Sequence, residues 1–281
     1  MVAIRWRRDP SAAGSAADPL WLRPINGRDE EFLFENASAV PAATRVTELL
    51  ARCLSRPSDH AVELDAVRRL TVGRREGLLL ALRGLTLGDR ISCILVCPEC
   101  DRPMDADLSV SALHREAGAE EQVYEVAIEQ GGESWRARFR LPIGADQEAV
   151  ADLARTDAEA AGLTILQRCL IEVVHDGANT GKSEASPELL EAVELAMEAA
   201  DPQAETRLRS DCPECGAQFV SVFDAADYFI KEVAASNRDL YRDVHALALS
   251  YHWSEEAILT LSHGRRQMYL KLLAESTPLE P

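Results

Sequence analysis

One tetrapeptide occurs twice, Cys97-Pro98-Glu99-Cys100 and Cys212-Pro213-Glu214-Cys215, and the two copies hold four of the seven cysteines. A Cys-x-x-Cys turn brings two thiolates close enough to share one tetrahedral ion, and two such turns complete a closed four-sulfur shell. Closed shells hold structure and leave no open position for water or substrate. The expected chemistry is therefore one structural Zn2+ per chain, with Cys97, Cys100, Cys212 and Cys215 as metal ligands. Redox-active pairs and half-sites completed by another subunit are the alternatives. A redox Cys-x-x-Cys opens a helix whose N-terminus lowers a thiol pKa. Here Pro98 and Pro213 directly follow the first cysteine, and strand-like sequence follows each turn. Cys53, Cys93 and Cys169 read as small buried apolar residues.

Between Cys100 and Cys212 lie 111 residues, against the usual ribbon loop of about 15–20. Lengthening a flexible loop that far costs roughly 1.6 kcal/mol in closure entropy. A structural zinc contributes on the order of 10–16 kcal/mol, so the separation is tolerable if the insert folds compactly. Residues 91–96 and 104–110 flank the first turn, and 205–210 and 218–223 flank the second. Both read as strand, Cys-x-x-Cys turn, strand. Asp101 stands where the second turn has Gly216.

The elements that must position these turns are mainly helical, giving an α+β expectation: two zinc-knuckle β-hairpins joined at one four-cysteine site, with an inserted β-hairpin plus helices. Residues 1–40, punctuated by Pro10, Pro19, Pro24, Gly14 and Gly27, read as an irregular N-terminal arm with isolated aromatic anchors. Residues 41–110 form a helical segment and the first knuckle, with apolar residues at helical spacing from Val46 and a strong helix from Arg74 to Arg83. Residues 111–211 form an acidic insert. In it, 122–128 and 134–141 alternate around Gly131-Gly132 as a hairpin, and helices follow over about 146–174, with a break near Gly162, and over 187–200. Residues 212–281 carry the second knuckle and C-terminal helical hairpins. Beyond the knuckles, sequence symmetry is too weak to mark an internal repeat.

At 281 residues the chain can bury a sizeable core as one large domain or two coupled ones. Its formal charge is −17, and residues 111–211 hold −12 of it, with 21 acids against 9 Lys/Arg. An acidic surface repels phosphate backbones, so no nucleic-acid partner is expected. The start lacks the apolar stretch of a signal peptide, and no apolar run reaches the roughly 20 residues of a membrane span. With odd, knuckle-paired cysteines, this points to a reducing, cytoplasmic setting.

Other signals point nowhere specific. Residues 173–183 resemble a phosphate loop, but only three residues separate Gly177 from Gly181, and Ser186-Pro187 places the following helix start well beyond Lys182. The stretch Leu261-Ser262-His263-Gly264-Arg265-Arg266 resembles the turn of a helix-turn-helix, which beside a zinc ribbon would suggest a nucleic-acid-binding regulator. His245 and His252 read as structural. Asp224 and Asp227 read as caps of a helix from Tyr228 to Ala235, and Ser254 as another cap. No catalytic constellation or small-molecule substrate site is visible.

Several segments together resemble the T-even phage baseplate protein family of contractile phages and phage-tail-like injection systems. They are Arg69 through Glu76 continuing to the first Cys-x-x-Cys, Leu141-Pro142-Ile143-Gly144-Ala145-Asp146, Asp201-Pro202-Gln203-Ala204-Glu205 leading to the second, and His245 through Leu259 closing with Arg265-Arg266 and Tyr269-Leu270. In order and spacing they cover roughly residues 45–275. The resemblance implies a non-enzymatic structural or assembly role, with other baseplate or tail proteins as partners, in the cytoplasm or within assembled particles.

Overall fold

The computed structural model describes residues 2–4, 20–37, 39–56, 61–115, 123–236 and 239–276. In chain order these form β1 (Val2–Ile4), β2 (Leu20–Leu22), α1 (Gly27–Glu35), α2 (Ala42–Cys53), β3 (Leu54–Ser55), α3 (Leu64–Arg68), α4 (Val72–Leu87), β4 (Arg90–Val96), β5 (Pro103–Ser109) and α5 (Val110–Leu113). There follow β6 (Tyr124–Gln130), β7 (Glu133–Phe139), α6 (Gly144–Ala149), α7 (Ala151–Ala154), α8 (Ala158–Cys169), β8 (Leu170–His175), β9 (Ala178–Thr180) and α9 (Pro187–Ala200). Last come β10 (Thr206–Asp211), β11 (Gln218–Phe223), α10 (Ala225–Ser236), α11 (Leu240–Tyr251), α12 (Glu255–Leu259) and α13 (His263–Ser276). All pairing is antiparallel: a small β1-β2-β3 sheet, a β6-β7-β8-β9 meander, and two separate hairpins, β4–β5 and β10–β11.

Mixed helix and small antiparallel sheets agree with the α+β reading, and three local expectations are corrected. Residues 27–35 are not irregular: Asn26 and Asp29 form a capping box that satisfies the first turn of α1, and Phe32 and Leu33 enter the main core. Residues 5–19 of the expected arm lie outside the described residues. The helix expected over 146–174 breaks before Asp157, whose side chain caps α8, and its last five residues belong to β8. Gly162 sits inside α8 with its Cβ position open to space, so it breaks nothing. The β-branched Ile171, Val173 and Val174 suit the pleat, where β8 pairs along β7.

The largest core gathers apolar side chains of α1, α2, α3, α4 and α10. A second lies between the meander and α8–α9, with Trp135, Phe139, Leu166 and Val193. A third sits beneath the two cysteine hairpins, built from Leu80, Ile91, Val110, Leu113, Phe223 and Ala225. A fourth holds α11, α12 and α13 together.

The structure contains a repeated polar lock that the sequence reading did not register as a repeat. In the first copy Arg23 grips Asp29 with both guanidinium nitrogens (2.6 and 3.1 Å) and also donates to Pro24 O and Arg52 O. Its own N–H donates to Cys53 O. In the second, Arg140 grips Asp146 (2.6 and 3.0 Å) and donates to Leu141 O and Arg168 O, while its N–H donates to Cys169 O. Asp29 and Asp146 each accept the backbone N–H three residues earlier, of Asn26 and Ile143. The helices that close the two locks, α2 and α8, both end in Arg-Cys and run on into a strand that begins with leucine.

Each lock presents its glycine turn to the start of another helix. Asn26 bridges to Ser262 before α13, and Ile143 bridges to Thr71 before α4. Those partners are also copies, Leu70-Thr71-Val72-Gly73-Arg74-Arg75 and Leu261-Ser262-His263-Gly264-Arg265-Arg266. The second arginine of each is buried against its turn, at 1% exposure. A Cβ at Gly144 would fall on the Arg75 guanidinium, and one at Gly27 would meet Leu259 Cα at 2.9 Å. Only a residue without a side chain allows these approaches.

Helix α4 is the spine that brings the distant cysteine turns together. Its C-terminal end leads into β4. At its N-terminus, Gly73 N–H donates to Asp201 Oδ2 (2.9 Å), and Asp201 stands at the end of α9, just ahead of β10. Glu76 accepts from the Ala225 N–H that follows β11, and Arg83 pairs with Glu232 of α10 at 2.8 and 3.0 Å. Gln203 accepts from Arg115 N–H (2.6 Å), tying the exit of one hairpin to the entry of the other. Helix α4 thus fixes the stretches before and after the second hairpin relative to the first.

Candidate metal centre

Both Cys-x-x-Cys segments lie at hairpin tips, as strand–turn–strand. Cys97 N–H donates to Arg102 O (3.1 Å) and Asp101 N–H to Cys97 O (2.9 Å); in the second turn Cys212 N–H donates to Ala217 O and Gly216 N–H to Cys212 O, both 2.9 Å. Asp101 (φ 55°) and Gly216 (φ 73°) occupy the same left-handed position. Aspartate tolerates that region better than most residues do, so the missing glycine does not alter the first turn.

The tips meet. Cys97 Sγ lies 3.7 Å from Cys215 Sγ, and Cys100 Sγ 3.7 Å from Cys212 Sγ. All four sulfurs lie within 4.8 Å of one another. A tetrahedral Zn–S shell with bonds of about 2.3 Å places its sulfurs about 3.8 Å apart. The four-thiol donor set and its spacing therefore fit a zinc ion, with one sulfur pair from each hairpin crossing to the other. Cys97 and Cys212 are buried, Cys100 is half-buried and Cys215 is exposed.

Four thiolates cannot share so small a volume without a compensating cation. The Cys212 thiol is drawn down to about 7, first by the Cys215 N–H, against burial, and then by the Glu214 N–H. At Cys100 the Arg102 N–H pulls downward, but burial and the three neighbouring sulfurs hold the thiol up at about 12. A cation at the centre would remove that conflict by favouring the thiolate at every ligand.

The other cysteines lie elsewhere. Cys53 and Cys169 are buried and occupy equivalent places in the two locks, 4.0 Å from Asp29 Oδ2 and 3.6 Å from Arg140 Nη1 respectively. Burial pushes the Cys169 thiol up to about 11 and raises Cys53 further. Cys93, on β4, is half-buried and donates to Ala106 O (3.7 Å).

The remaining sequence signals resolve into structural parts. Residues 173–183 form the end of β8, β9 and a short 3-10 turn, while Ser186 Oγ accepts from Leu189 N–H at the start of α9. Asp224 and Ser254 cap α10 and α12; α10 starts at Ala225 rather than at Tyr228, so Asp227 lies in its first turn instead of capping it. His245 and His252 are exposed. Arg266 is not displayed for a phosphate backbone. It is buried against Glu30, and its Nε reaches Asp243 Oδ2 (3.2 Å). The roles that sequence reasoning missed are those that align the hairpins, at Glu76, Arg83, Asp201 and Gln203, and the burial of Arg75 in its lock. The repeated Leu-(Thr/Ser)-x-Gly-Arg-Arg was the available signal for the arginine pockets.

Comparison with known families decides the wider identity. Residues 19–230 match the T4 bacteriophage base plate protein family. The chain belongs to this family. The matched stretch of this baseplate chain contains both cysteine hairpins, both locks and the α4 spine. Neither the curated proteins nor the solved structures searched returned a match. Among the described residues no helix is long and apolar enough to cross a membrane.

Proposed function

We propose that this chain is a non-enzymatic structural or assembly protein of the baseplate of a contractile phage-tail-like injection particle, folded around one zinc ion. Membership of the baseplate family carries the role. The convergence of four Sγ atoms within 4.8 Å supports the metal, with Cys97, Cys100, Cys212 and Cys215 as its ligands. Zinc would act by fixing two hairpin tips that are far apart in sequence, so that the shared core beneath them stays closed. Other baseplate or tail proteins are the proposed partners, either in the cytoplasm or within assembled particles. The acidic composition and the burial of Arg266 between carboxylates weigh against the zinc-ribbon regulator that binds nucleic acid.

Two measurements test the two halves of this reading. Purified wild-type protein is expected to carry one equivalent of zinc by elemental mass spectrometry, and Cys100→Ser and Cys215→Ser to lose both zinc and soluble yield. Wild-type zinc content in both variants would remove the shared site. For the role, quantitative mass spectrometry of purified particles and of the soluble fraction should find the chain with tail proteins in one or both. Recovery without any tail protein would overturn the baseplate assignment.

A further inference from the structure

The outward faces of the two cysteine hairpins carry the same layout with opposite charge. Residues paired directly across an antiparallel ladder share a face. On the first hairpin Ile94 pairs with Asp105 and Val96 with Pro103, while Ser92 pairs with Asp107. On the second, Val220 pairs with Arg209 and Val222 with Arg207. Ile94, Val96, Val220 and Val222 are 67, 56, 56 and 65% exposed, so each hairpin shows water one row of β-branched residues beside one row of charges. Four such residues on two small hairpins are more than scattered surface exposure explains.

The charges differ in sign. The first face carries Asp105, Asp107 and Arg90, and the second Arg207, Arg209 and Asp211, with Asp105 and Arg209 at equivalent places on the two ladders. Arg90 already holds Asp107 (3.0 Å), and Glu198 and Glu205 hold Arg207 (2.6 Å each). Asp105 and Arg209 are exposed and make no ion pair among the described residues, and each lies directly across its ladder from an exposed Ile or Val. Both faces are open to solvent, so they do not cover each other within one molecule.

We propose that the Asp105 face of one copy docks on the Arg209 face of a second copy, apolar row against apolar row and carboxylate against guanidinium. The two patches differ, so the contact is heterologous: every bound copy keeps one free face of each sign, and the association extends into a ring or a chain rather than stopping at a dimer. Each patch is small, which places the contact among weak ones that form at high local concentration, as on an assembling plate.

Charge exchange tests this on the full-length, zinc-replete chain. In a sedimentation-velocity concentration series, wild type should show a weight-average mass that rises with concentration and falls with added salt. Asp105→Arg and Arg209→Asp, each alone, put like charges on both faces and should weaken self-association by at least about tenfold. An equimolar mixture of the two variants should recover it, because every face then finds its complement on the other variant. Unchanged zinc content and circular dichroism in both variants would exclude misfolding. A wild type that remains monomeric throughout, variants that associate like wild type, or a mixture that fails to associate would each overturn the proposal. Capture of a different tail protein by these faces, with no self-association, would assign them to that partner instead.

Discussion

The two locks share one backbone design and handle charge differently. Both place an Arg–Asp grip beside a glycine turn, and both receive a buried arginine from a Gly-Arg-Arg helix start. In the lock that joins α1 to α13, Arg266 meets carboxylates directly, Glu30 at 1% side-chain exposure and Asp243 at 14%. In the lock that joins α6 to α4, Arg75 donates to a hydroxyl, Thr47 Oγ1 (2.8 Å), and to the Ala43 carbonyl (2.9 Å). Glu148 accepts from that same Thr47 hydroxyl and pairs with Arg68. Burial accordingly lowers the Arg75 pKa, with Glu148 and Glu76 only partly offsetting it. A repeated fold motif thus fixes where an arginine goes without fixing how its charge is balanced.

The sharpest way to break the comparison is to remove each arginine. Arg266→Met takes the guanidinium away from buried Glu30, which keeps His263, and from half-buried Asp243, which keeps Gln267, and is expected to cost about 3–5 kcal/mol. Arg75→Met removes one donor from the Ala43 carbonyl, which Thr47 Oγ1 also approaches (3.2 Å), leaves Thr47 still bound to Glu148, and is expected to cost about 1–3 kcal/mol. Urea unfolding of both variants measures this, and equal losses would show that the balancing groups are interchangeable.

The glycines give a finer distinction. Gly144→Ala and Gly27→Ala should each destabilise by about 1–3 kcal/mol through overpacking. Gly144→Ala collides with the Arg75 side chain, so its cost should shrink in an Arg75→Met background. Gly27→Ala collides with Leu259 backbone, so Arg266→Met should not relieve it. A double-mutant cycle reads the coupling directly. Coupling at both glycines, or at neither, would refute the distinction.

The smallest expected effect is a pH dependence. Glu76 follows Arg75 where Gln267 follows Arg266. Burial and then Asp224 push the Glu76 carboxyl up to about 8, against the Ala225 N–H. Between its ordinary carboxylate range and about pH 8 the folded chain therefore holds a proton that the unfolded chain has released. Stability contributed by this group is present at low pH and declines as pH rises through that window. Glu76→Gln can still accept from Ala225 and should flatten the decline, without altering stability in acid. A variant whose unfolding midpoint tracks wild type from acid to alkaline pH would remove Glu76 as the cause.

Much of the candidate site was legible because it is local. Cys-Pro-Glu-Cys repeated between strand-like segments implied two tips sharing one site, and the structure brings all four sulfurs together. Helix starts at Ser186, Asp224 and Ser254 were readable because caps act over three residues. The strand β8 was not. An apolar run such as Leu170–His175 continues a helical pattern as well as it starts a strand, and its pairing with β7 is decided some thirty residues away. Helix α1 was hidden by Pro24 and Gly27, which look like loop punctuation until Asn26 and Asp29 are seen closing a capping box.

The sequence by itself determined the cysteine pairs, most helices, the acidic insert and the resemblance that the family match bears out. Only the tertiary structure decided which segments those parts join. Asp201 reaching Gly73 across 128 positions and Arg266 reaching Glu30 across 236 depend on burial, where an unpaired charge or N–H is too costly to leave. Sequence shows which residues need such partners, and three-dimensional packing alone supplies them.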